Sequence, residues 1–100
     1  MITAIVKATI LADKKDELRR IADILQYEYS HKETGCLQYE SFIDGETFIT
    51  IERWENQDVL DIHLAQEHVK KYVPLMKACI ENGLFNVQFI RGGEFSFIQI

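Results

Sequence analysis

The chain has no stretch approaching the roughly 20 consecutive apolar residues that a bilayer-spanning helix needs. Its first residues, Met1 to Leu11, hold one lysine inside an apolar run, with no basic segment ahead of an apolar one. No secretory leader is read there. Basic residues are in the minority, 11 Lys and Arg against 16 Asp and Glu, for a net charge of −5. That field repels a phosphate backbone, so no nucleic-acid partner is expected. Cysteine is scarce: Cys36 and Cys79 stand far apart at no metal or redox spacing. They are expected to be reduced, packed thiols in a cytoplasmic protein. There is one proline, Pro74, and no repeat, low-complexity tract or Pro/Gly-rich linker. Residues 1–100 therefore read as one domain, and at this length a chain that is 47% hydrophobic can bury one core without staples. Common catalytic signatures are also missing: no Gly-rich phosphate loop, no nucleophile elbow, no cysteine pair at zinc spacing.

What is present is a regular succession of elements. Ile2 to Leu11, rich in Ile, Val, Thr and Ala, reads as a strand. Asp13 is a candidate N-cap, with Asp16 and Glu17 in the following turn, and Leu18, Ile21, Ala22, Leu25 and Tyr29 recur at helical spacing. Cys36–Ile43 and Phe48–Glu55 read as two strands joined at Asp44-Gly45-Glu46, a hairpin signal because Asp-Gly tolerates positive φ. Asn56 is a candidate N-cap for a short helix carrying Val59, Leu60 and Leu64. A second helical stretch, Glu67 to Asn82, places Val69, Tyr72, Val73, Met76 and Ile80 on one side, with a kink or break expected at Pro74 and Gly83 as its C′ residue. Leu84–Ile90 is a last strand, interrupted at Gly92-Gly93, and Glu94–Ile100 is extended. The order is β-α-β-β-α-β with a short extra helix. This predicts an α+β, ferredoxin-like fold: an antiparallel sheet with helices on one face.

The strands are apolar on both faces. Phe48 and Trp54 share one face with Thr50 and Glu52, while Ile49 and Ile51 point the other way with Arg53. Phe85, Val87 and Phe89 oppose Asn86, Gln88 and Ile90. An outer face of that kind favours burial at about 25 cal/mol per Å2, and a second copy packed sheet to sheet would cover it. A homodimer is therefore expected, two-fold pairing being the commonest closed assembly. The run 94–100 is too apolar for a free tail and is expected to extend onto the partner subunit.

One constellation could carry chemistry: Glu52-Arg53-Trp54, then His63 nine residues after the tryptophan, then His68. His63 lies one turn after Val59, at the edge of the short helix's apolar stripe, where it can face a cavity and act as a general base or orient an oxygen. Trp54 offers a flat wall to an aromatic ligand, though a strand tryptophan also serves simply as core. Glu52, a strand-centre carboxylate on an apolar face, needs a partner. Tyr39 can hydrogen-bond a ligand or pack, and His68 can cap the main helix. His63 and His68 are five apart, so they do not lie side by side on one helix, and no acidic cluster accompanies them. No metal site is expected.

The pieces Glu33-Thr34-Gly35-Cys36-Leu37-Gln38-Tyr39-Glu40, Glu52-Arg53-Trp54 and His63-Leu64-Ala65-Gln66-Glu67-His68, in this order and spacing, resemble the antibiotic-biosynthesis monooxygenase domain over nearly the whole chain. The resemblance implies a dimeric α/β barrel of two ferredoxin-like sheets with a pocket in each subunit between sheet and helices. It implies oxidation of a small phenol or quinol by O2 without metal, flavin or other cofactor, the substrate's own anion reducing oxygen. On that reading His63 is the catalytic base or orienting group, and Trp54, Glu52, Tyr39 and His68 bind substrate. A haem-degrading branch places an asparagine, a tryptophan and a histidine where this chain has Lys7, His63 and Val73, none of which matches. A non-redox branch acting on small phosphorylated signalling sugars would need basic residues, for which Lys7, Arg53 and Arg91 are the candidates. A non-catalytic ligand-binding dimer is the remaining alternative.

Overall fold

The computed structural model describes residues 1–100. Its elements are β1 (Ile2–Thr9), α1 (Lys15–Asp23), β2 (Cys36–Asp44), β3 (Thr47–Trp54), α2 (Gln57–Leu64), α3 (Glu67–Lys77), β4 (Asn86–Arg91) and β5 (Glu94–Gln99). The sheet runs β2-β3-β1-β4-β5, antiparallel throughout. The first four strands in that order are the ferredoxin-like arrangement expected of a βαββαβ chain. No helix is long and apolar enough to cross a membrane.

Alternation along the strands decides which face is core. Ile2, Ala4 and Ala8 of β1, Phe48, Thr50, Glu52 and Trp54 of β3, and Val87 of β4 are buried beneath the helices. Ile5, Ile49, Ile51 and Ile90 point to the other face. The β2–β3 hairpin turns at Gly45-Glu46, and only Gly45 takes positive φ, at 61°. Beyond Arg91 the chain reverses at Gly92-Gly93, and β5 pairs with β4 as a fifth strand of its own sheet. Its side chains remain exposed, Phe97 most of all at 76%.

Several local expectations change. Asp13 is not the N-cap of α1; it takes a left-handed conformation (φ 65°), and Lys14 precedes the helix without a side-chain cap. The first helix does not keep its period. From Ile24 to Tyr29 the backbone widens to a π-helical turn, followed by a 3-10 turn at Ser30–Lys32. Burial then steps by five, from Ile21 to Gln26 and from Leu25 to Ser30, while Tyr29 is left half exposed. The Gln26 Oε1 accepts from both N and Oγ of Ser41, each at 2.9 Å, which anchors the widened turn to β2. α3 runs through Pro74 and ends at Lys77, well before Gly83. Ile80 has left the helix to bridge Ile10 and is buried there. Asn82 and Gly83, both at positive φ, then turn the chain into β4.

Two contacts hold α2 against the loop that follows α1. Asn56 caps α2, its Oδ1 accepting from Val59 N at 2.9 Å. Gly35 (φ +82°) sits beneath Val59, so close that an added Cβ would lie 2.6 and 2.7 Å from the valine methyls. Its carbonyl accepts from Glu55 N at 2.9 Å. Gly35→Ala therefore meets both a disfavoured backbone conformation and a clash of its new methyl with the Val59 side chain. A loss of at least about 2 kcal/mol is expected in urea unfolding. A variant within about 0.5 kcal/mol of wild type, the range of an ordinary surface change, would contradict this close packing.

Candidate functional site

A cavity of about 90 Å3 lies between the inner face of the sheet and the helices. Its walls are mainly apolar, from Val6, Leu25, Phe48, Leu60, Val73 and Phe85 among others, and its polar lining is Tyr39, Thr50, Glu52 and His63. Leu64 and Ile100 line it and are about half exposed, marking the side on which it opens. No lysine or arginine faces it. Lys7 points to the opposite face of the sheet beside Gln88 and Phe97, Arg53 donates to Gln38 at 2.8 Å, and Arg91 donates to Gln57 at 3.1 Å. The basic residues that a phosphate pocket would require are placed elsewhere.

His63 is brought to the cavity by α2, which the Asn56 cap and the Gly35 contact orient. It is 4% exposed. Its Nδ1 lies 2.8 Å from Oε2 of Glu33, and the same oxygen lies 3.0 Å from Nε2 of His68 at the start of α3. The ionised carboxylate only accepts, so each imidazole donates to it. That contact sets the orientation of the His63 ring through Nδ1, and in the neutral ring with its proton there Nε2 is the acceptor. The sequence shows no acidic cluster beside the two histidines, and the structure supplies a single acid. They stand on different helices, and Glu33 on the preceding loop joins them. Tyr29 stacks on the outer side of His68, ring centroids 4.7 Å apart and planes within 13°.

Behind His63 lies Trp54, fully buried, its ring centroid 4.2 Å from the imidazole. Trp54 is not among the cavity-lining residues. It supports His63 from behind, and its Nε1 donates to Glu52 Oε1 at 3.2 Å. Thr50 Oγ1 donates to the other oxygen of Glu52 at 3.0 Å. Glu52 is buried with no basic partner. Desolvation raises its pKa, with the neighbouring His63 and the two hydrogen bonds pulling the other way. Tyr39, opposite Glu52 in the β2–β3 ladder, reaches the cavity because Leu37 is an extra residue that shifts the register between Cys36 and Gln38. Burial, reinforced by Glu52, raises the Tyr39 phenol well above its ordinary value, so it remains a hydroxyl donor. Burial also pushes the Cys36 thiol up to about 11, which removes it as a nucleophile near neutral pH.

Of the residues singled out in the sequence, His63, Glu52 and Tyr39 line one cavity. Trp54 stands behind them, and His68 reaches them only through Glu33. Glu33 carries no role in the sequence reading although it begins the Glu-Thr-Gly-Cys piece. The available signal was its position two residues before a glycine that must pack under α2.

The state of Glu52 makes stability depend on pH. A carboxyl whose folded pKa lies above its unfolded value, near 4.3, binds more protons when folded. Its contribution is fully present below that value and is lost as pH rises through the folded pKa. Glu52→Gln keeps an acceptor for Trp54 and turns Thr50 into an acceptor. It is expected to fold, to be at least as stable as wild type at pH 7, and to lose that advantage by pH 4. Glu52→Ala orphans both donors and opens space, at a cost of about 2–4 kcal/mol. Thermal unfolding of the three proteins at both pH values checks this, and equal pH dependence in wild type and Glu52→Gln would contradict it.

The family model described as "Antibiotic biosynthesis monooxygenase" matches residues 1–75. Among solved structures, a conserved protein from Methanosarcina mazei Go1 is 25% identical, with a TM-score of 0.83 and 90% of each chain covered. A protein described as antibiotic biosynthesis monooxygenase is also 25% identical, with a TM-score of 0.76, covering 100% of this chain and 96% of its own. A conserved protein of unknown function from Bacteroides thetaiotaomicron VPI-5482, described as a possible oxidoreductase, has a TM-score of 0.80 at 24% identity, covering 89% of this chain and 94% of its own, and speaks to the fold alone. No curated protein matches the chain in sequence. With three quarters of its length matched, carrying the Glu33, Trp54 and His63 pieces in order, the chain belongs to the antibiotic biosynthesis monooxygenase family.

Proposed function

We propose that this protein is a cofactor-independent monooxygenase acting on a single-ring phenol or quinol. The observation that carries the reading is an apolar cavity bordered by an imidazole whose other nitrogen, Nδ1, is held by Glu33. In this scheme His63 Nε2 takes the phenolic proton, and Glu33 stabilises the imidazolium that forms. Tyr39 and Glu52 hydrogen-bond the substrate oxygens. The phenolate passes an electron to O2, the two radicals join through a C–O bond, and the peroxide breaks its O–O bond to leave a carbonyl and water. The balance is quinol plus O2 giving hydroxyquinone plus water: the substrate supplies all four electrons and His63 returns the proton to the departing oxygen.

The cavity limits the substrate. Its 90 Å3 is below the roughly 150 Å3 that admits benzene to an engineered protein cavity, so even one ring requires Leu64 and Ile100 to give way. Oxygen consumption is expected with a monocyclic hydroquinone and not with a three-ring phenol. His63→Ala should lower the rate about 100-fold or more, within the range of general base catalysis, and leave the assembly unchanged. An unchanged rate removes His63 from the chemistry. Turnover under strict anaerobiosis would replace the oxygenase reading by a non-redox enzyme. A phenol that stabilises the fold and is recovered unaltered would leave only a ligand-binding protein.

The assembly proposed is a homodimer formed through the outer sheet face. Ile5, Ile49, Ile51 and Ile90 lie on that face with Phe42, Phe95 and Phe97, and the three phenylalanines are 43–76% exposed. Residues 94–100 would extend this surface onto the partner. Sedimentation equilibrium at micromolar concentration is expected to give twice the chain mass, with Phe97→Lys shifting the population to monomer. A wild-type protein that sediments as a monomer would remove the dimer.

A further inference from the structure

We propose that Glu33, His63 and His68 form a binding site for a divalent transition ion of the zinc class. Their potential ligand atoms, His63 Nδ1, His68 Nε2 and a Glu33 carboxylate oxygen, lie within 4.8 Å of one another. They come from three separate elements, a loop, α2 and α3, and their side chains are only 5%, 9% and 13% exposed for His63, Glu33 and His68. Two imidazoles and one carboxylate are a donor set that borderline ions such as Zn2+ and Co2+ accept. Three protein ligands leave one tetrahedral position open.

The geometry is close to what such an ion needs. Bonds of about 2.0–2.1 Å at tetrahedral angles place ligand atoms about 3.3 Å apart. The two Glu33–histidine separations, 2.8 and 3.0 Å, must open by a few tenths of an ångström, and the two ring nitrogens must draw together. Glu33 Oε1 accepts no hydrogen bond and can turn onto the ion. The ion takes the place of the two N–H groups now pointing at Glu33, and each neutral ring keeps its single proton by carrying it on its other nitrogen. One carboxylate facing two neutral rings in a mostly buried site then gains a cation in place of neutral donors. His31, the third histidine, is committed to the Gln26 carbonyl at 2.6 Å and takes no part.

Occupancy would reverse the character of the cavity. With Nδ1 on the ion, His63 must carry its proton on Nε2, which turns an acceptor into a donor. Ion binding would therefore suppress any base function of His63. The site itself does not rest on that function, because the ion is read directly.

Co2+ serves as the probe. Titration of the wild-type protein should produce visible d–d bands saturating at one Co2+ per chain, abolished by added Zn2+. Glu33→Gln, which can still accept from both histidines, and His68→Ala should each weaken Co2+ binding by more than about 100-fold, the upper end of what outer-shell changes cost. His31→Ala should bind as wild type does. Circular dichroism identifies any variant that fails to fold, and Glu33→Gln, the most conservative of them, then decides. Absence of d–d bands in large Co2+ excess overturns the proposal, as does equal affinity in wild type and Glu33→Gln.

Discussion

One carboxylate ties α2 and α3 to the loop that leads into β2. Glu33 accepts from a histidine on α2 and from another on α3, at 2.8 and 3.0 Å, and both rings are largely withdrawn from water. Hydrogen bonds to a charged group are worth about 1.5–3 kcal/mol each, and an orphaned buried N–H costs a comparable amount. The loop carrying Glu33 is placed in turn by Gly35, which lets Val59 approach to a distance no side chain would allow. The sequence Glu33-Thr34-Gly35 is thus one device: the glycine docks α2, and the acid then fixes the ring that α2 presents.

The inner face of β3 shows what this device supports. Thr50 and Glu52 interrupt an otherwise apolar stripe, and a sheet selected only for packing would have no use for a buried acid. Glu52 is made tolerable by Thr50 and Trp54, both on its own strand, so no other element has to adjust to it. The indole that satisfies Glu52 also backs His63. A change at Trp54 would therefore disturb an acid and an imidazole together, although the tryptophan itself does not face the cavity.

Features set by neighbours in the chain were legible in the sequence. The strands, the Asn56 cap and the Gly45 turn depend on local alternation, a side-chain acceptor three residues from a free N–H, and one glycine at positive φ. Features set by distant partners were not. Tyr39 reaches the cavity only because Leu37 bulges out of the β2–β3 ladder, and two-residue alternation carries no mark of an extra residue. The π-helical turn at Ile24–Tyr29 follows from Gln26 reaching Ser41 across the core, which a helical period cannot reveal. The approach of His63 to His68 was discounted by their spacing of five, a test that applies within one helix, whereas the two residues stand on the separate helices α2 and α3, whose crossing no local period reveals. Glu33 was visible as part of a family-like motif, yet its partners lie 30 and 35 residues away.

The cavity and the buried acid also bear on why the site persists. At roughly 24 cal/mol per Å3, a 90 Å3 void costs about 2 kcal/mol. A chain of this size has about 5–15 kcal/mol of total stability. Filling the space would take little: larger side chains at Val6 or Val73 would occupy it, and a leucine in place of Glu52 would remove the desolvation as well. The void, the buried carboxyl without a lysine or arginine partner and the hydrogen-bonded imidazole instead occur together, on the side of the sheet that α2 covers. Folding alone would favour removing each of them, and their joint presence is what the proposed binding of a small molecule would account for.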